Sequence, residues 1–440
     1  MKKKVLAALL CAAMVATSLV GCGGSDGKES GKKDGESELS GELVIALWDN
    51  RTMELFESLD LEGRFQELYP DVTLEFEKLK DDTEYWNAMK MRAAANQLPD
   101  VMFNKTFTLS RFKEYLVDIS DLKAVEDNKV ASGYAVDDKI LGIPLTMSSE
   151  YVYYWKDMFK EAGVEVPDTW AELEEVSKKL QDYYGKDNGD YMAFAIGGKD
   201  EWTTYPFAEF MPSLISGNGQ NWNTMAGQDE PFAEGTDVNT AFKKIDSLFS
   251  SGVFGKDPLG LSNDQAYNLF ATKQSSIIAA GARALKSFKD TAESTDELGT
   301  FYLPVRDDES EPFRTVTQGD LFLSVTSHCE NPELAKAFVE FCFSEDWYPD
   351  HIKSIPDDSA SKTFTKEKDP ILAQADELQP DAEIVMYDGG GDDFQALVAE
   401  TTFDYKKLGA QMLIPDFDLD EALNELNTKW KAAREKLEIK

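Results

Sequence analysis

The chain has 440 residues, 82 of them acidic and 45 basic, for a formal net charge of −37. Such an excess of carboxylates repels phosphate backbones and anionic headgroups, which argues against nucleic acid as a partner, and the length suits two or three domains or lobes. Only two histidines are present, His328 and His351, so a His-rich zinc site is excluded and a Ser-His-Asp triad would have to rest on one of them.

Lys2, Lys3 and Lys4 precede a mostly apolar run from Val5 to Val20, which ends in Leu19-Val20-Gly21-Cys22. This is the layout of an export signal over residues 1–21. The run is shorter than the roughly 20 residues that span a bilayer comfortably. A cysteine directly after a small residue resembles the lipobox of bacterial lipoproteins. The resemblance implies cleavage before Cys22, acylation of its thiol (a palmitate-type anchor) and tethering outside the bacterial cell membrane. Residues 22–42 contain almost nothing apolar and read as a flexible tether, with a reach of roughly 25 Å.

The body opens with a strand-like run, Leu43-Val44-Ile45-Ala46-Leu47-Trp48. Leu55, Phe56, Leu59, Phe65 and Leu68 then recur at helical spacing up to Pro70, Val72 to Phe76 alternates like a strand, and Tyr85 to Asn96 reads as a helix. Asp100 to Phe103 is a short buried strand, Tyr151 to Trp155 an aromatic one. Thr169-x-x-Glu172 is a capping box that opens a helix through Leu180. Strands follow at Ser275–Ala280 and Leu321–Val325, and Asn331-Pro332 opens a helix with Leu334, Phe338, Phe341 and Cys342 on one stripe. The last helix carries Leu423, Leu426, Trp430, Ala433 and Leu437. The alternation predicts an α/β architecture with a largely parallel sheet. With Cys11 in the export signal and Cys22 at the lipid site, Cys329 and Cys342 remain. The intervening helix holds them ~15 Å apart, too far for a disulfide.

No P-loop, G-x-G-x-x-G or G-x-S-x-G pattern occurs, so neither a cofactor nor a catalytic residue is expected. Asp416-x-Asp418-x-Asp420 lacks the glycine and distant glutamate of a calcium loop and reads as helix capping; no metal is expected. Lys186 to Asp190 and Gly389 to Asp393 read as turns. The aromatic residues are the more informative group. A neutral polyhydroxylated ligand needs flat apolar faces for its C–H surfaces and amides and carboxylates for its hydroxyls. Trp170 and Trp430 read as core, Trp86 and Trp155 as structural, and Trp347 has no assignment. Trp48 ends the first strand and is followed by Asp49, Asn50 and Arg51, at the carboxyl end where open α/β sheets place ligands. Asn104 and Lys105 hold the equivalent place after Phe103. Trp202, Tyr205 and Phe210 cluster, and Trp222 lies in a polar, glycine-rich segment. Each of these groups either faces a ligand or packs in the core.

Several segments, in order behind the lipobox, resemble the family-1, carbohydrate-type extracellular solute-binding proteins of ABC transporters. They are GELVIALW, FQELYPDVTLEFE, LPDVMF, ILGIPLTMSSEYVYYWKDMFKEAGVEVPDTWAELEEVSKKL, ATKQSSIIAAGARALKSF, LGTFYLPV and ENPELAKAFVEFCFSED. The resemblance implies a two-lobed periplasmic-binding-protein-like fold of class II type, with residues 43–147 plus 321–366 in one lobe and 148–320 plus 367–440 in the other. It implies a ligand cleft between lobes that close about a hinge. Carried over, Trp48, Asp49 and Asn50 match the first-strand-end position, Asn104 the contact after the third strand, and Ser148 or Glu150 the first crossing. Tyr205 and Phe210 match an aromatic platform, Asp392, Asp393 and Phe394 a further cleft position. Arg283 stands where relatives often carry a tryptophan, replacing a stacking face with a guanidinium. The function implied is capture of a carbohydrate, an oligosaccharide, by a monomeric lipid-anchored receptor that delivers it to permease subunits without covalent chemistry. The rivals are a secreted lipoprotein glycosidase and a receptor for a non-sugar ligand such as a polyamine.

Overall fold

Along the described residues, ten strands alternate with helices: β1 (Gly41–Leu47), β2 (Val72–Lys78), β3 (Val101–Asn104), β4 (Ile143–Trp155), β5 (Met192–Ala195), β6 (Ser275–Gly281), β7 (Leu298–Phe301), β8 (Arg314–Val325), β9 (Asp358–Ser359) and β10 (Glu383–Met386). The computed structural model describes residues 39–48, 50–79 and 82–439, so the export signal, Cys22, most of the tether and Asp49 lie outside the described residues. β1 begins at Gly41, two residues inside the segment read as tether.

The strand order is β2-β1-β3-β8-β4-β6-β5, with β10 on β8 and β7 and β9 on β4. β1 pairs in parallel with β2 and β3, as βα alternation predicts. The expectation of a largely parallel sheet holds only in part: β5 with β6 and β10 with β8 are parallel too, but the pairs made by the long strands β4 and β8 are otherwise antiparallel. β8 runs antiparallel to both β3 and β4, and β4 runs antiparallel to β6 and β7. The reason is that β4 and β8 are long strands that serve both lobes. In β4, Ser149 is the last residue opposite β8, facing Thr317, and Glu150 is the first opposite β6, facing Gly281.

The apolar core divides accordingly. One cluster lies in residues 151–316 and 372–433. Two others cover opposite faces of the β1–β3 and β8 layer: Leu43, Ile45 and Leu47 point to one, Ala46 and Met102 to the other. A strand buried on both faces needs an unbroken apolar run, which explains LVIAL. The fold is α/β and two-lobed.

Local sequence signals act where they stand. The Thr169–Glu172 capping box forms and opens the helix Trp170–Tyr184. Asn331 caps the helix Pro332–Cys342, and Asp418 caps the helix Leu419–Leu437, as the capping reading of the aspartates requires. The helical stretch from Leu55 to Leu68 is two helices, Asn50–Ser58 and Leu61–Leu68, separated by Asp60 in a left-handed conformation (φ 53°). Cys329 and Cys342 are free thiols. Trp347, buried at 0 % exposure, joins Trp155 and Trp430 as core. Among the described residues, no helix is long and apolar enough to cross a membrane.

Candidate functional site

Where β4 passes from one lobe to the other, a cavity of about 210 Å³ opens between them. The crossing strands supply its base: Ser148 and Glu150 from β4, Gln318, Gly319 and Asp320 from β8. Lys105, Thr106 and Phe107, just past the end of β3, form one wall. Trp202, Tyr205, Glu209, Tyr267 and Lys406 form the other, with Gly281, Arg283 and Ala284 between.

Glu150 and Tyr205 are joined directly. The Tyr205 hydroxyl donates to Glu150 Oε2 at 2.9 Å and accepts from the Gly281 amide at 2.9 Å. A Cβ on Gly281 would stand 3.2 Å from both Glu150 Oε1 and Tyr205 Oη, so glycine lets the three groups meet. Burial pushes the Glu150 carboxyl up to about 8. The Tyr205 hydrogen bond opposes this, and the charges of Glu209, Asp357 and Asp320 add to it. Trp202 lies stacked against Tyr205, ring centroids 6.2 Å apart at 28°, and remains 47 % exposed. It therefore offers a free aromatic face beside the cavity.

Four further charges of the cavity, Glu209, Lys406, Arg283 and Asp320, are paired. Glu209 accepts the Tyr387 hydroxyl at 3.0 Å and meets Lys406 Nζ at 3.2 Å. Arg283 Nε bonds the fully buried Asp357, while its Nη2 lies 3.1 Å from Asp320 Oδ2 and 3.1 Å from Thr146 Oγ1. The Arg283 guanidinium is thus engaged by two carboxylates.

The structure brings Ser148, Glu150, Trp202, Tyr205 and Arg283 into one cavity. It separates the others from it. Phe210 (1 % exposed), Trp222 (0 %) and Phe394 (1 %) are core residues, a correction to their reading as ligand-facing. They form a buried aromatic chain behind the Tyr205 wall. Phe210 meets Tyr205 edge-on at 5.7 Å and Tyr387 at 4.8 Å, and Trp222 stacks on Phe394 at 5.2 Å. The physical reason is that Trp222 and Phe394 sit on the buried faces of the helices Asn221–Ala226 and Asp392–Thr401, while Phe210 precedes the helix Met211–Ser216, whose first four residues are all buried. Asn104 is also fully buried, its Oδ1 accepting from the Thr108 hydroxyl at 2.8 Å. Trp48 is half-buried among Tyr85, Trp86 and Phe103, with Lys105 Nζ 5.2 Å from its ring centroid, one residue back from the wall. Asp392 pairs with Lys113, and Asp393 is exposed beside it; neither lines the cavity. Asp49 and the side chain of Asn50 lie outside the described residues.

Sequence reasoning missed Glu209, Tyr267, Asp320, Asp357 and Lys406. Their role depends on long-range pairing, and no local spacing marks them.

The family model described as bacterial extracellular solute-binding protein matches residues 63–405. A multiple sugar-binding protein of Streptococcus mutans is 28 % identical over 225 residues, 49 % of this chain and 50 % of that protein, so the chain spans about half the length of this relative. The maltodextrin-binding protein MdxE of Bacillus subtilis is 21 % identical over 386 residues, 84 % of each chain. Among solved structures, RafE of Streptococcus pneumoniae in complex with raffinose matches with a TM-score of 0.73 and 21 % identity, over 90 % of this chain and 100 % of that one. A manno-oligosaccharide-specific binding protein of Bifidobacterium animalis subsp. lactis matches with a TM-score of 0.71 and 17 % identity, over 90 % and 95 %. With the cleft at its strand crossing and a family match over most of its length, the chain belongs to the bacterial extracellular solute-binding proteins.

Proposed function

We propose that this protein is the lipid-anchored substrate-binding component of an ABC importer, capturing a neutral carbohydrate between its lobes and delivering it to permease subunits. The observation that carries the reading is the exposed Trp202 face stacked on Tyr205, beside the hydrogen-bonding groups of Ser148, Glu150 and Gln318. An apolar plate with a polar rim suits a sugar ring. The ligands for which the relatives are named (maltodextrin, raffinose, manno-oligosaccharide) agree with it. The paired charges support a neutral ligand: Glu209 is matched by Lys406, and Asp320 and Asp357 by Arg283. A polyamine would need unpaired carboxylates in their place.

In this reading the lobes comprise residues 43–147 with 321–366 and 148–320 with 367–440. Ligand favours the closed arrangement, which the permease recognises. Cys22 carries the lipid, residues after it form the tether, and the protein acts as a monomer. Tryptophan fluorescence and thermal shift against a panel of oligosaccharides and spermidine test the ligand class. A response to spermidine alone would overturn it. Loss of palmitate labelling in Cys22→Ala, with release of the protein from cells, tests the anchor.

The raised Glu150 carboxyl favours a second reading, a glycosidase, because a protonated carboxyl at neutral pH can serve as a general acid. The carboxylates around it are held in ion pairs with Lys406 and Arg283. Turnover of a chromogenic glycoside, abolished in Glu150→Gln, would support that reading instead.

A further inference from the structure

The space between the lobes has two compartments. The second, of about 710 Å³, lies between the helices Asn50–Ser58, Asn263–Ala271 and Ala284–Thr291 and the segment 351–356. It shares two lining residues with the first, Arg283 and Tyr267. Arg283 starts in one lobe, flanked by Ala282 and Ala284 of the larger core cluster. Its guanidinium ends on Thr146, Asp320 and Asp357, next to Leu145 and Leu321 of the other lobe's core. Three partners fix its planar fork, so the side chain forms a bar across the cleft where the compartments meet. They also differ in chemistry. The inner one has the Trp202–Tyr205 plate and a polar base; the outer one sets Leu55, Ile355 and Pro356 beside the charged Asp264, Lys286 and Asp290.

We propose that Arg283 determines ligand length: it closes the inner compartment so that the protein takes a carbohydrate of one or two rings and rejects further rings into the outer space. The proposal rests on the carbohydrate reading above. The inner volume of 210 Å³ falls below the about 300–1,000 Å³ of sites that enclose a whole small ligand, whereas the outer one falls within it. A longer chain would therefore have to pass the bar.

The test is a chain-length series by isothermal titration: maltose to maltotetraose, mannobiose against mannotriose, and raffinose against stachyose. Affinity of the wild-type protein is expected to gain less than about threefold per ring beyond two. In Arg283→Ala combined with Asp357→Asn, so that no buried carboxylate is left uncompensated, the longest sugars should gain about tenfold over the two-ring ones. Circular dichroism melting checks that the double variant folds, and Arg283→Met provides a second route should it fail. A wild-type gain of about tenfold per added ring would overturn the proposal, as would an equal slope in wild type and variant. Absence of binding by any sugar would instead remove the carbohydrate reading itself, and the length proposal with it.

Discussion

Tyr205 and Glu150 are bound to each other across the cavity, hydroxyl to carboxylate at 2.9 Å, although they belong to a helix and a crossing strand 55 residues apart. The carboxyl is pushed up to about 8 from an ordinary 4.5. Because the folded value is raised, protonated Glu150 contributes stability in full below pH 4.5, and this is lost as pH rises through 8. Glu150→Gln cannot ionise. Its melting temperature relative to wild type should therefore climb between pH 5 and pH 9, in melts recorded at both values. A constant difference would show that Glu150 titrates normally.

His351 shifts the other way. It is buried, stacked on Trp347 with centroids 4.6 Å apart at 15°, and neither ring nitrogen has a hydrogen-bond partner. Burial, helped by the charges of Arg283 and Lys366, lowers it to about 3 from 6.5. Neutral His351 thus contributes fully above pH 6.5, and the contribution fades as pH falls toward 3. Replacement by phenylalanine keeps the stack and removes the titration. Melting curves at pH 7 and pH 4 should show a smaller acid loss for His351→Phe than for wild type.

Trp202 offers a ligand-facing ring whose removal should cost the core little, since it is nearly half exposed. Trp202→Ala should weaken sugar binding about tenfold, measured by titration calorimetry, with the melting temperature almost unchanged. A large drop in stability with intact affinity would place the ring in the scaffold instead.

Thr169 Oγ1 accepts from the Glu172 amide at 3.3 Å, and Glu172 Oε2 accepts from the Thr169 amide at 3.2 Å. Thr169→Ala should lower unfolding free energy by about 1 kcal/mol in urea melts, without changing ligand affinity.

Elements governed by neighbouring residues were legible in the sequence: the strand Gly41–Leu47, the Thr169 box, the Asn331 cap. The crossing at Ser148 or Glu150 came instead from the family resemblance, and β4 carries both residues where its partner changes from β8 to β6. What sequence could not resolve was which side of an aromatic faces outward. Trp202 and Trp222 both lie in polar surroundings. Trp222 donates to the Tyr387 hydroxyl at 3.0 Å and is sealed by Tyr405, partners 165 or more residues away, while Trp202 has no such cover. The fate of Arg283 depended in the same way on Asp357, which approaches only through β9.

The position of β8 has a consequence for biogenesis. It lies between β3 and β4, so Val101 waits for Val325 and Ile143 for Leu323 before the sheet is continuous. Such distant pairing slows folding. A chain emerging from the ribosome can pair β2-β1-β3 and β5-β6-β4 as separate pieces, but it cannot join them into one sheet until its last third has been made.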